Sequence, residues 1–278
     1  MGLILGFGVV FLRRYLKSKV FDSASIENQI DLPVLAELRS LPEDVNRISQ
    51  DVINLATNIH LVQEVSMITV GAYDPGSGKR KAALNLAKAM AAIGYRTILV
   101  DADLYDSRLH QYLNRGNDRG LSQVLMGQST LKSAIQVTDL PHLDLLAAGR
   151  FSEEIPTRLI LHPSTQEVFQ TLRKQYDRVI IAVPDLRDVR DAIPLMKASE
   201  VNLLTAWTDK TSMRDLAASE ELLRKFQVPN LYCLLIRTTS QGNQSTYSVN
   251  VGTLAPIGQG IRRAALKRWL KRKMGRNE

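Results

Sequence analysis

An α/β fold with a mostly parallel sheet flanked by helices is predicted for this chain, and three features predict it. Short apolar runs without polar alternation recur at 67–71, 96–100, 178–183, 201–207 and 231–236. Such runs mark strands buried on both faces. Stretches of helical period separate them, which is the order of βαβ units. Third, the first run is followed by Tyr73-Asp-Pro-Gly-Ser-Gly-Lys-Arg-Lys81 and then by an Ala-rich helical stretch, 82–93. Strand, glycine loop, lysine and helix in that order make a phosphate cradle of the P-loop NTPase kind. Backbone N–H groups converge on the anion, the helix N-terminus adds partial positive charge, and Lys79 adds a full charge.

The composition, 45% hydrophobic and 23% charged over 278 residues, supports one large domain with a sizeable core and tails. Cys233 is the one cysteine, so no intrachain disulfide forms, which fits a reducing cytoplasm. It sits in the apolar run 231–236 and reads as a buried thiol rather than a nucleophile. The net charge of +8 is local: eight basic residues and no acid lie between Arg262 and Arg276, while residues 1–260 hold 28 basic and 27 acidic residues. A whole-surface nucleic-acid partner is therefore not expected.

In chain order, residues 1–20 open with Met1-Gly-Leu-Ile-Leu-Gly-Phe-Gly-Val-Val-Phe-Leu12, followed by Arg13, Arg14, Lys17 and Lys19. The run is shorter than the about 20 residues a span needs, and its charges follow rather than precede it, unlike a secretory signal. It reads as the inner end of a membrane helix with basic residues at the cytoplasmic edge; a helix docked on the domain is the alternative. Residues 21–65 read as a connector and a helix. Asp22 or Ser23 caps a short helix through Ile30, residues 34–38 form a short extended piece, and Pro42-Glu43 opens a helix to about Gln63 with Val45, Ile48, Val52, Leu55, Ile59 and Val62 on one stripe.

Residues 66–240 form the predicted P-loop domain. Gly76, Ser77, Gly78, Lys79, Arg80 and Lys81 are its candidate nucleotide-binding residues. The run 96–100 delivers Asp101 and Asp103 at its C-terminal end, where open α/β sheets hold ligands. Two carboxylates beside a phosphate loop suit Mg²⁺ coordination or activation of an attacking hydroxyl, so both are candidate metal-binding and catalytic residues; a capped strand end with solvated acids is the alternative. The loop departs from the standard pattern, which places a Mg²⁺-binding Ser or Thr after the lysine; here Arg80 and Lys81 stand there. Three cations at a helix N-terminus oppose the dipole, a conflict that a bound anion would relieve. ATP or ADP is thus the expected ligand, with Mg²⁺ poorly supported.

Further along, 120–126 and 131–135 read as short helices, and 143–147 as a strand ended by Gly149. Pro163 opens a helix through 175, and Ser212 caps one through 226. Residues 241–278 read as a flexible segment, rich in Ser, Gly, Asn and Gln, and a basic amphipathic helix, 261–274. That helix sets Ile261, Ala265, Leu266, Trp269 and Leu270 against seven Lys and Arg residues, which suits an anionic membrane surface; docking on its own domain and RNA contact are alternatives. The four histidines are scattered, no zinc spacing occurs, and no Gly-x-Ser-x-Gly elbow is present.

Several segments together resemble one family. Asp31-Leu-Pro-Val-Leu35, Ala72-Tyr-Asp-Pro-Gly-Ser-Gly-Lys79 with Asn85-Leu-Ala87, Ile98-Leu-Val-Asp-Ala-Asp-Leu104, His110, Gly120-Leu-Ser122, Leu146-Ala-Ala-Gly149 and Tyr176-Asp-Arg-Val-Ile-Ile181 follow one another as in the cytoplasmic module of bacterial tyrosine kinases joined to polysaccharide co-polymerases. The resemblance covers nearly the whole chain. It implies a P-loop kinase fold at the cytoplasmic face of the inner membrane. The implied partners are co-polymerase or assembly proteins of capsule or exopolysaccharide synthesis and further copies of the chain.

The chain also departs from that family's pattern. Arg80 replaces the metal-binding hydroxyl, and the third motif reads Ala182-Val-Pro184-Asp185 where the family has Asp-Thr-Pro-Pro. Tyr105 stands in the place of a basic residue, and Gln50-Asp-Val-Ile-Asn-Leu-Ala56 in that of the Glu/Arg oligomerisation motif. Only Tyr247 remains of a tyrosine-rich tail. A degenerate, pseudokinase-like regulatory domain with weak or absent phosphoryl transfer is the expectation. A working ATP-dependent tyrosine autokinase is the alternative, with Asp101 and Asp103 in metal and base roles. A membrane-bound partitioning-type ATPase is the third, although Ala72, Tyr73 and Asp74 lack its second lysine.

Overall fold

A computed structural model describes residues 19–39, 41–42, 44, 46–62, 65–150, 156–187, 190–237 and 248–250. The expected apolar N-terminal helix, up to residue 18, and the basic helix 261–274 lie outside the described residues. Among the described residues no helix is long and apolar enough to cross a membrane.

An eight-stranded sheet forms the centre: β1 (Val34–Leu38), β3 (Met67–Gly71), β4 (Thr97–Asp101), β5 (Ile135–Val137), β6 (Leu143–Leu146), β7 (Arg178–Ala182), β8 (Val201–Trp207) and β9 (Leu231–Ile236). The order is β1-β9-β8-β3-β7-β4-β6-β5, and every pairing is parallel except β5 on β6. The three strands β3, β7 and β4 are buried along their whole length, as their unbroken apolar runs predict. Successive residues face opposite sides. Ile98, Val100, Val179 and Ile181 join one apolar cluster, while Leu99, Ile180 and Ala182 join the other.

Helices cover both faces. On one, α2 (Gln50–Val62) contributes Val52, Leu55 and Ile59, and α3 (Lys79–Ala92) contributes Ala83, Leu86 and Met90. On the other lie α1 (Ser23–Gln29), α8 (Pro163–Gln175) and α10 (Met213–Lys225), with Ile26, Phe169, Leu172, Leu216 and Leu223 inward. The remaining helices are short: α4 (Leu109–Tyr112), α5 (Leu121–Leu125), α6 (Leu131–Ala134), α7 (Pro156–Leu161) and α9 (Ala192–Lys197). Asp22 caps α1 by accepting from Ser25 N.

Several local expectations are corrected. The helix expected from Pro42 begins at Gln50; before it runs β2 (Arg47–Ser49), paired antiparallel with β10 (Ser248–Asn250), which lies in the stretch expected to be flexible. The carbonyls that a helix would have used are taken from outside. Lys88 Nζ donates to Asp44 O at 3.0 Å and Arg47 O at 2.6 Å, and Asn85 Nδ2 donates to Pro42 O at 3.4 Å. Residues 34–38 are an edge strand of the main sheet, and Ile135, expected to end a helix, begins the antiparallel edge strand β5.

Candidate nucleotide-phosphate site

The loop 72–78 leaves the C-terminal end of β3 at the middle of the sheet. The segment after β7 fixes its first half: Leu186 N and Arg187 N donate to Ala72 O and Tyr73 O, and Arg187 Nη1 lies 2.5 Å from Asp74 Oδ1. Ser77 Oγ donates to Asp74 O at 2.7 Å. Gly78 precedes the first turn of α3 at φ 76°, in the left-handed region that favours glycine. A methyl group there would also collide with the Trp207 indole nitrogen. Positive φ and close approach both demand glycine at this position.

No side chain caps α3, and its first turn holds Lys79, Arg80 and Lys81 with no acid. The chain supplies the counter-charge from elsewhere. Lys79, its side chain 4% exposed, places Nζ 2.9 Å from Asp103 Oδ2 and 2.9 Å from Asp185 Oδ1. Arg80 Nη2 lies 3.0 Å from Asp103 Oδ2 and 2.8 Å from Asp106 Oδ2, and donates to Asp106 O at 2.7 Å. Two of the three cations that suggested an absent anion, Lys79 and Arg80, are therefore already met by carboxylates.

The two candidate carboxylates after β4 do different things. Asp103 reaches the loop. Asp101 is fully buried and accepts from Asp103 N, Ser107 Oγ, Arg108 N and Leu109 N at 3.1–3.3 Å, so it holds the turn before α4. Burial pushes its pKa up to about 6, against the pull of those N–H groups. Burial likewise raises the pKa of Asp185, with Lys79 opposing. Tyr105 donates to Asp191 Oδ2 at 2.6 Å and thereby ties the loop after β4 to α9. His110 Nδ1 stands 3.4 Å from Ser107 Oγ.

Sequence reasoning passed over three residues. Asp185 lies beyond the strand end, so its motif position did not mark it, yet its carboxylate meets Lys79. Asp106 carries the far side of Arg80. Trp207 ends an apolar strand and reads as core, but its indole covers Gly78. Two buried N–H groups beside the loop, Arg80 Nε and Trp207 Nε1, have no acceptor among the described residues. A buried donor without a partner is costly; the buried Asp74 Oδ1 and Asp185 Oδ1 likewise make no hydrogen bond among the described residues, although each faces a cation.

A divalent cation fits this donor set poorly. A guanidinium stands at the hydroxyl position, β7 ends in Ala182, the oxygens of Asp101 serve backbone N–H groups, and Asp103 is shared by two cations. Among the described residues no group of three or more His, Cys, Asp or Glu side chains is placed to hold a metal ion.

A parallel sheet, a glycine loop at its central strand, a buried lysine opening the next helix and carboxylates beyond β7 and β4 define a P-loop domain. Residues 65–231 match the family model described as an AAA domain. Over 251 residues the chain is 30% identical to the tyrosine-protein kinase ptk of Acinetobacter johnsonii, covering 82% of this chain and 34% of that one. It thus spans about a third of that relative's length. It is 30% identical over 173 residues to the tyrosine-protein kinase CpsD of Streptococcus pneumoniae serotype 4, covering 62% of this chain and 76% of CpsD. The crystal structure of the chimerical protein CapA2B2 superimposes with a TM-score of 0.73 at 27% identity, covering 79% of this chain and all of that one. The chain belongs to the bacterial tyrosine-kinase family of P-loop proteins.

Proposed function

We propose that this chain is a kinase-derived regulatory domain that holds nucleotide phosphate at the loop 76–81 and transfers phosphate to tyrosine weakly or not at all. The observation that carries the reading is the buried Lys79 of a glycine loop flanked by two N–H donors, Arg80 Nε and Trp207 Nε1, without acceptors. A phosphate oxygen entering the loop would accept from them and take Lys79 in exchange for Asp103 and Asp185. Phosphoryl transfer depends on positioning and on neutralising developing charge, and Arg80 stands in place of the hydroxyl that helps do both. The family's system, capsule or exopolysaccharide assembly, is the proposed setting. The basic stretches at 13–19 and 262–276 support a place at the cytoplasmic face of the inner membrane, against anionic lipid. Co-polymerase or assembly proteins, and further copies of the chain, are the proposed partners.

The test is labelled ATP incubated with purified chain. Nucleotide retained on the protein without label on tyrosine is expected; phosphotyrosine accumulating at a rate typical of such kinases would overturn the reading. One observation favours the second reading, a working autokinase: Asp185 restores a carboxylate beside Lys79. In that case Asp185→Asn abolishes the incorporation.

A further inference from the structure

The position after the P-loop lysine is where a hydroxyl would join helix α3 to a divalent ion, with the carboxylates of the second motif on the ion's far side. Here the side chain itself makes that connection. Arg80 starts in the first turn of α3 and ends on Asp103 and Asp106, at 3.0 and 2.8 Å, with a further bond to Asp106 O. Its side chain is 14% exposed, so the charge sits inside the protein. A guanidinium is planar, always charged and carries five N–H donors. Its Nη2 serves the protein, and its buried Nε–H has no acceptor among the described residues.

We propose that the Arg80 guanidinium is the built-in counter-cation of this site. It bridges helix and second-motif carboxylates as a divalent ion would, leaves Nε–H for a phosphate oxygen, and so selects the free nucleoside di- or triphosphate over its Mg²⁺ complex. The proposal rests on the reading of the loop as a nucleotide-phosphate cradle. A Mg²⁺ ion arriving with the nucleotide meets a fixed positive charge a few ångströms away. Asp103, a carboxylate that would have attracted it, stays paired with Arg80 when Lys79 turns to the phosphate. Like charges at such distances in a partly buried site repel more strongly than they would in water. The metal-free nucleotide brings only negative charge and meets Lys79, Arg80 Nε–H and the N-terminus of α3.

The experiment is calorimetric titration of the full chain with ADP and with ATP, once in EDTA and once in excess Mg²⁺. Binding at least about tenfold tighter in EDTA is expected, with Mg²⁺ added to the EDTA complex releasing nucleotide. Arg80→Thr, which restores a hydroxyl and frees Asp103, reverses the order; a thermal melt monitors its fold. The wild-type comparison stands alone should that variant not fold. Equal or tighter binding with Mg²⁺ in the wild type overturns the counter-cation role and leaves the phosphate cradle standing. No binding under either condition overturns both.

Discussion

Helix α3 carries buried cations in two places and holds them in opposite ways. In its first turn Lys79 and Arg80 face Asp103, Asp185 and Asp106, charge against charge. Further along, Lys88 is 1% exposed and, among the described residues, donates to uncharged oxygens: the carbonyls of Asp44 and Arg47 at 3.0 and 2.6 Å and Asn85 Oδ1 at 3.4 Å. Burial lowers the pKa of Lys88 to about 8, and Asp44 opposes that only in part. The contrast separates two uses of a buried cation. An ion pair can be exchanged for a ligand's charge, because a phosphate replaces a carboxylate in kind. A lysine spread over backbone carbonyls has nothing to exchange and serves as a strap on the Asp44 and Arg47 carbonyls at the entrance to β2.

Removing the exchangeable charge has the largest expected effect. Lys79→Met strands Asp185 and leaves Asp103 to Arg80 alone; breaking a buried pair from one side costs about 3–5 kcal/mol. Urea unfolding at pH 7 should show that loss, together with nucleotide binding weakened beyond detection. An unchanged midpoint would mean that the carboxylates find water when the lysine goes, and that the charged end is less enclosed than its geometry implies.

Removing the strap comes next. Lys88→Met leaves the Asp44 and Arg47 carbonyls without their donor, a loss of about 2 kcal/mol at pH 7, partly offset because no charge is buried any longer. The pH dependence sharpens the contrast. The folded-state pKa of about 8 lies below the ordinary 10.5, so between those values the unfolded chain holds a proton that the folded one has released. Wild-type stability gains from this group as pH rises through that window, and the gain is lost as pH falls to 8. The Met variant lacks it, so the gap between the two unfolding midpoints widens from pH 8 toward pH 10. A constant gap would show that Lys88 keeps its proton throughout.

The strap is also what sequence alone did not reveal. Continuous apolar runs named β3, β4, β7, β8 and β9 because burial on both faces leaves no room for polar alternation. The loop was legible because its glycines and Lys79 have a fixed spacing that chemistry requires. Residues 42–49 were not. Val45, Ile48 and Val52 keep a helical spacing, yet a lysine from α3 and a strand from residues 248–250 compete for the same backbone, and no local pattern announces either. Asp185 was hidden for a related reason: its position in the motif had moved, while the turn after β7 still carried its carboxylate to Lys79. The short helices 156–161 and 192–197 are too brief for a period to show.

Asp101 and Asp103 repeat the comparison on a smaller scale, and the finest expected effect lies there. Asp103 is held by cations; Asp101, like Lys88, is held by dipoles, here backbone N–H groups, and burial lifts its pKa from 3.8 to about 6. Between pH 4 and pH 6 the unfolded chain has lost a proton that folded Asp101 keeps, so this group's contribution is full below pH 4 and is lost as pH rises through 6. Asp101→Asn cannot titrate and still offers one oxygen to the 107–109 turn. At pH 7 its stability should lie within about 1 kcal/mol of the wild type, since a buried charge is removed along with part of its hydrogen bonding. The fall between pH 4 and pH 6 should be shallower in the variant. Parallel profiles would mean that Asp101 titrates as an ordinary carboxylate, ionised over most of that range. In that case burial does not keep the proton on Asp101, and the division between exchangeable and structural charge would have to be drawn elsewhere.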